Sequence, residues 1–355
     1  MHVALLTGGG DCPGLNAVIR AVTRALINEA GVQVSGIEQG FLGLIEDRIR
    51  PLDAHAVRGI VARGGTILGT HNKANPFNYY RAGGADVSDR VLATLARHGI
   101  DAVVAIGGDG TMAGAHGLSQ LGVRFVGVPK TIDNDLMHTD RTFGFDSAVS
   151  VVAEAIERLE TTASSHRRVM IVETMGRYAG WIALEAGLAG GADVILLPEL
   201  PYDLGAVAAH CRAREADPGY TIVCVAEGAL PIGGKMTVAA TVPDSPDPIR
   251  LGGIGNVLRE QLQPLIGSEV RTTLLGHVQR GGSPTAFDRV LATRFGHHAA
   301  RMVLRGEFDR MVVLRGECCD SVPLVDVAGL NRTVPADHPL LAATRALGVS
   351  LGQPA

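Results

Sequence analysis

The chain has 355 residues, 46% of them apolar and 19% charged, which excludes wholesale disorder and allows a core without staples. A net charge of −4 and an aromatic content of 4% argue against nucleic-acid binding, which calls for a basic excess and stacking platforms. The length favours two domains over one.

In chain order, short apolar runs predict strands at residues 3–6, 32–37, 102–106, 124–128, 168–172, 194–197, 221–225, 271–275 and 311–314. Helix-length stretches at 15–29, 87–97, 147–162 and 204–214 lie between them. The alternation predicts α/β architecture: two doubly wound, Rossmann-like domains with mostly parallel sheets and helices on both faces. Residues 242–250 (VPDSPDPIR) read as a surface loop, and the tail after Leu330 as helical and then frayed. The five cysteines (Cys12, Cys211, Cys224, Cys318, Cys319) form no C-x-x-C pair, so they read as free thiols in a reducing cytoplasm. No apolar run nears the roughly 18 residues of a membrane span, and the N-terminus lacks a signal-peptide core. A cytoplasmic protein without membrane or nucleic-acid partners is expected.

Five motifs at strand ends carry the chemistry. TGGGDCPGLNAVIRA (7–21) joins a strand to a helix whose free N–H groups suit a phosphate; it is neither a Walker A loop nor a clean G-x-G-x-x-G, and a plain tight turn is the alternative. In AIGGDGTMAGA (105–115), Asp109 either holds Mg²⁺ through water beside a phosphate-cradling backbone or caps the next helix. GGDG also occurs in NAD and lipid kinases. In VPKTIDNDL (128–136), an extended backbone would put Asp133 and Asp135 on one side, roughly 7 Å apart, as base and partner, against a polar turn as the alternative; residue 138 is His, so an EF-hand fails. RRVMIVETMGRYAG (167–180) offers Arg168 and, after Met175 and Gly176, Arg177, whose planar charged group suits phosphoryl oxygens. RTTLLGHVQRGGSP (271–284) brings Arg271, His277 and Arg280 as an anion pocket, with a structural histidine as the alternative for His277. Glu227 ends another strand, where it could meet sugar hydroxyls or cap a turn. Together these are the parts of phosphoryl transfer onto a hydroxyl of a phosphorylated substrate.

Blocks 7–20, 63–70 (RGGTILGT), 107–111, 129–135, 165–178, Glu227 and 271–284 make the chain resemble the 6-phosphofructokinase family; PKTIDND, MGR and GHVQRGG are the specific ones. The resemblance implies Mg²⁺-dependent conversion of fructose 6-phosphate to fructose 1,6-bisphosphate in a cleft between domain 1–137 plus about 285–355 and domain 138–284. It implies Asp133 as base, Thr131 beside the moving phosphoryl group and Arg177 stabilising its charge. Gly10, Gly108, Gly110 and Thr111, with Asn72 and Lys73, would meet the donor, and Asp109 the metal. Met175, Gly176 and Glu227 would face the sugar, Arg168, Arg271, His277 and Arg280 its phosphate, and Ile132, Val278 and Gln279 would also belong to the substrate site. Arg168 and Arg271 would come from a neighbouring subunit, implying a homodimer or homotetramer with shared sites.

For the donor, Gly110 resembles ATP-using members and Lys130 pyrophosphate-using ones. A carboxylate at 110 would crowd and repel a nucleotide α-phosphate, so the expectation is ATP, with pyrophosphate as the rival and a non-catalytic sugar-phosphate-binding paralogue as the lesser one. Arg20 and Arg24 match an effector site of some bacterial relatives. Pro218 and Gly219 replace its lysine pair, which argues against the usual ADP and phosphoenolpyruvate control.

Overall fold

The computed structural model describes residues 1–242 and 248–354. The chain begins β1 (His2–Thr7), α1 (Leu15–Ala30), β2 (Gln33–Ile37), α2 (Phe41–Ile45), β3 (Ile49–Pro51), α3 (Ser88–Arg97), β4 (Ala102–Gly107), α4 (Asp109–Ser119), β5 (Phe125–Pro129). It continues α5 (Phe145–His166), β6 (Val169–Thr174), α6 (Trp181–Ala189), β7 (Val194–Leu196), α7 (Leu204–Arg214), β8 (Thr221–Ala226), β9 (Val238–Thr241), β10 (Ile249–Leu251), α8 (Ile254–Leu262), β11 (Val270–Leu274). It ends α9 (Ala286–Arg305), β12 (Arg310–Arg315), β13 (Cys318–Pro323) and α10 (Pro339–Ala346).

All nine expected strands form. With β3 and β13, they build a seven-stranded sheet, β13-β12-β5-β4-β1-β2-β3, and a four-stranded one, β11-β6-β8-β7. The smaller sheet is parallel throughout, and the larger is parallel except at its two edges, where β3 and β13 run antiparallel. β1, β4, β5, β6 and β8 are buried along their whole length, as continuous apolar runs covered on both faces must be. Both sheets reverse their strand order beside the strand that starts them, between β1 and β4 and between β6 and β11. Ligands in open α/β sheets settle at the carboxyl ends of strands flanking such a reversal. The GGG, GGDG, MGR and GHVQR segments follow these four strands.

One apolar cluster runs from Val3 and Leu5 of the large sheet through Phe145 and Ile156 of α5 to Met170 and Val172 of the small one. The two sheets therefore share a core beneath the site. Among the described residues the five cysteines are free, and no helix is long and apolar enough to cross a membrane.

Two expectations are corrected. Residues 249–250 of the predicted loop belong to β10, which pairs with β9; 243–247 lie outside the described residues. The tail does not fray: Ser350 bridges Val194, Gly352 O accepts from Asp203 N (2.7 Å), and Leu351 is buried. The reason is that β7 is an edge strand whose backbone groups need partners.

α1 and α9 approach closely because Gly296 lacks a side chain: a Cβ there would stand 2.8 Å from Ala21 Cβ and 2.9 Å from Val18 O. Overpacking such a contact costs typically 1–3 kcal/mol. Gly296→Val should therefore lower unfolding free energy by about 2 kcal/mol in urea titration, with the far-ultraviolet spectrum retained.

Candidate active site

The site starts where β1 and β4 end side by side. Gly8 N donates to Ile106 O (2.9 Å), holding the two glycine loops together. A Cβ on Gly8 would lie 2.5 Å from Thr111 Oγ1, so Thr111 fills the space both loops leave and is itself buried. At Gly14, the N-cap of α1, glycine is required twice: φ is 106°, and a Cβ would press to 2.7 Å from the Phe143 ring. Residues 66–70 lie across the β1 tip, with Thr7 Oγ1 donating to Gly69 O (2.7 Å) and Thr70 Oγ1 to Gly9 O. Asn72 follows, exposed, and Lys73 N donates to His71 Nδ1 (3.2 Å).

Asp109 is the first residue of α4 but does not cap it; its Oδ1 accepts from Gly329 N (2.6 Å). Burial raises the Asp109 pKa above the usual carboxylate range, opposed by that bond and by the charge of Arg177. Gly110 is exposed, and a Cβ on it would meet nothing within 4 Å.

The base-bearing loop leaves β5. Lys130 is buried, and its Nζ donates to Gly10 O, tying this loop to the first; burial pushes the ammonium below its usual range. The expected extended geometry is not what forms. Asn134 is left-handed (φ 52°), with Oδ1 accepting from Thr142 N (3.0 Å), while Asp133 N donates to Thr131 Oγ1 (3.0 Å). A hydrogen-bonded turn thus replaces the strand-like spacing, as short polar side chains favour. Ile132 is fully buried in the shared apolar cluster. Asp133 is 4% exposed, and its Oδ1 has no hydrogen-bond partner among the described residues. Loss of hydration and the neighbouring Asp133 push Asp135 up to about 7.

From the small sheet, Gly176 (φ 138°) turns so tightly that a Cβ would sit 2.5 Å from Ala179 O. Arg177 follows in the left-handed region, and its N–H donates to Glu227 Oε1 (3.0 Å), joining the tips of β6 and β8. Burial pushes Glu227 up to about 7, with that bond opposing. Gln279, fully buried, accepts from Met175 N (3.3 Å), and Arg280 Nη1 donates to Asp11 O (3.2 Å) beside Gly10. His277 and Val278 are exposed on the turn between. Arg168 and Arg271 do not join this group. Both pair with Glu269 at the other end of β6 and β11, Arg168 six residues (roughly 20 Å) and Arg271 three residues (roughly 10 Å) from their own strand tips at about 3.3 Å per residue.

Mg²⁺ fits Asp109. Among the described residues no three His, Cys, Asp or Glu side chains surround one point, so a cation there would complete its shell with phosphate oxygens and water. The charges of Asp133 and Asp109 both raise the Asp135 pKa, an excess of negative potential that a cation relieves.

Against known proteins, the family model for phosphofructokinase matches residues 2–303. The chain belongs to the phosphofructokinase family. It is 49% identical to the ATP-dependent 6-phosphofructokinase 2 of Clostridium perfringens, over 98% of this chain and 97% of that one. It is 50% identical to the pyrophosphate–fructose 6-phosphate 1-phosphotransferase of Streptomyces coelicolor, over 94% and 96%. The structure of phosphofructokinase from Saccharomyces cerevisiae superposes with TM-score 0.79 at 32% identity, covering 92% of this chain and 45% of the yeast one.

Within this phosphofructokinase site, sequence reasoning missed Glu173, whose carboxylate accepts from Gly253 N (2.8 Å) and Gly255 N (2.7 Å) and anchors the start of α8. An acid inside the apolar run VMIVET was the available signal. It also missed the segment 329–334, whose contacts come from backbone groups and the Arg332 guanidinium.

Asp135 and Glu227 bind more protons folded than unfolded between about pH 4 and 7. Their stabilisation is full below pH 4 and lost as pH rises through about 7. Asp135→Asn and Glu227→Gln should each flatten the fall in melting temperature across this window in ligand-free protein; parental slopes in both would contradict the assignment.

Proposed function

We propose that this chain is an ATP-dependent 6-phosphofructokinase, carrying the ATP γ-phosphoryl group to the 1-hydroxyl of fructose 6-phosphate. The supporting observation is Asp133: a buried carboxylate with an unpartnered oxygen, set beside two glycine loops and electrostatically linked to the Glu227 strand tip. Asp133 takes the hydroxyl proton as sugar O1 bonds to phosphorus; the bond from phosphorus to the bridging oxygen breaks, and ADP leaves with that oxygen. Gly10 N–H and Arg177 stabilise the migrating group, and Thr131 lies next to it. Charge neutralisation of the donor phosphates is the chemistry Mg²⁺ supplies when bound at Asp109. Met175, Gly176 and Glu227 orient the sugar, and His277 and Arg280 hold its phosphate.

The remote placement of Arg168 and Arg271 supports their service in a neighbouring subunit's site, within a homodimer or homotetramer. The domains in this reading are 1–137 with 285–330, and 138–284 with the terminal segment, the site lying between.

For the donor, overall similarity does not discriminate, since relatives named for either donor are about equally identical. Gly110 decides the reading for ATP: neither its backbone nor its packing requires glycine, so the space it leaves serves a ligand. Lys130, the feature favouring pyrophosphate, is engaged by Gly10 O. The paralogue reading is disfavoured because Asp133, Asp109 and Arg177 are all retained at the strand tips.

Coupled assays should show faster turnover with ATP than with pyrophosphate; the reverse would reassign the donor. Gly110→Asp should fold normally yet weaken ATP use, and unchanged ATP kinetics would defeat the steric and charge argument. Asp133→Asn should lower kcat by at least roughly 10²-fold with little change in KM, as loss of a general base requires.

A further inference from the structure

Segment 329–334 touches both loops that carry the reacting carboxylates Asp109 and Asp133. Gly329 N donates to Asp109 Oδ1 (2.6 Å). Asn331 bridges Leu136, and Arg332 N donates to Asp135 O (2.7 Å). The Arg332 guanidinium then reaches back to the far end of the same loop, donating from Nη1 to Thr139 O (2.9 Å) and Asp140 O (3.1 Å). Its other face lies against Trp181, 4.4 Å from the ring centroid, while Trp181 Nε1 donates to Arg332 O (3.1 Å). Trp181 starts α6, four residues after Arg177. Val334 N donates to Glu199 Oε1 (2.8 Å), the atom that also accepts from Gly180 N (2.9 Å).

We propose that segment 329–334 is a clasp, and Arg332 its positioning residue, fixing the Asp133–Asp135 loop against the Arg177 loop. The inference rests on the reading of Asp133 as base. Arg332 touches no reacting atom. It holds both ends of the turn carrying the base and braces them on Trp181, four residues after the phosphoryl-stabilising arginine. A delocalised planar cation is needed, because one group must satisfy two carbonyls and lie flat on an indole. Near-attack geometry is sensitive to such support: a displacement of about 1 Å can cost 10²-fold in rate without weakening substrate binding.

The test is a kinetic series on the full-length protein: Arg332→Ala, Arg332→Lys, and Arg332→Ala with millimolar ethylguanidinium. Arg332→Ala should lose about 10²-fold in kcat while KM for both substrates stays within about twofold. Lysine should give an intermediate rate, and ethylguanidinium should restore at least part of the alanine loss. Three results would overturn the clasp: kcat within twofold of the parent, a loss carried by KM, or a loss that tracks a fallen melting temperature and resists rescue. Asp133→Asn assayed alongside separates the two readings. Near-parental activity there removes the base assignment; inactivity there with a silent Arg332→Ala removes the clasp alone.

Discussion

Burying a carboxylate oxygen without a hydrogen-bond donor costs a protein about 1–3 kcal/mol or more, and Asp133 Oδ1 sits in that condition at the floor of the cleft. Most of the surroundings can be understood as what makes it tolerable. The turn bonds of Thr131, Asn134 and Thr142 fix the backbone so that the side chain cannot relax toward solvent. Asp135 and Glu227 respond by holding their protons into the neutral range. The glycine loops opposite supply amide donors and space but no competing side chain. The fold keeps this oxygen unpaired by rigidity at the strand tips.

That rigidity follows from parallel architecture. Strands buried on both faces can end only where the chain turns toward a helix, and two sheets sharing α5 and its apolar cluster bring their tips together. The order reversals beside β1 and β6 then select which tips flank an opening. The four glycine-bearing turns lie at these reversals, so topology alone explains why the motifs converge from distant parts of the chain.

How much of this the sequence disclosed follows from what each residue uses to act. The buried strands were legible because Val3–Leu6 or Val223–Val225 cannot be anything but apolar in a two-sided sheet. The edge strands β3 and β13 were not, being short or polar where one side is open. Asp109, Asp133 and Arg177 stood out because charge at a strand end needs a reason. Asn134 concealed its left-handed turn, since asparagine is equally at home in a loop of any shape. Gly329 and Arg332 were silent because they act on carbonyls and amides, which every sequence possesses. The ion pairs of Glu269 with Arg168 and Arg271 show the complementary limit: which end of a strand a residue occupies is plain, but which side chain it pairs with there is not.

The vacancy at Gly110 has an evolutionary corollary. Because no neighbour lies where its first side-chain atom would go, and its backbone is ordinary helix, the scaffold is indifferent to what occupies that place. In the reading proposed above, selection there acts on the incoming phosphate carrier, uncoupled from folding. A lineage built on this framework could alter that one of its two donor determinants by drift at a single codon, passing through no unstable ancestor.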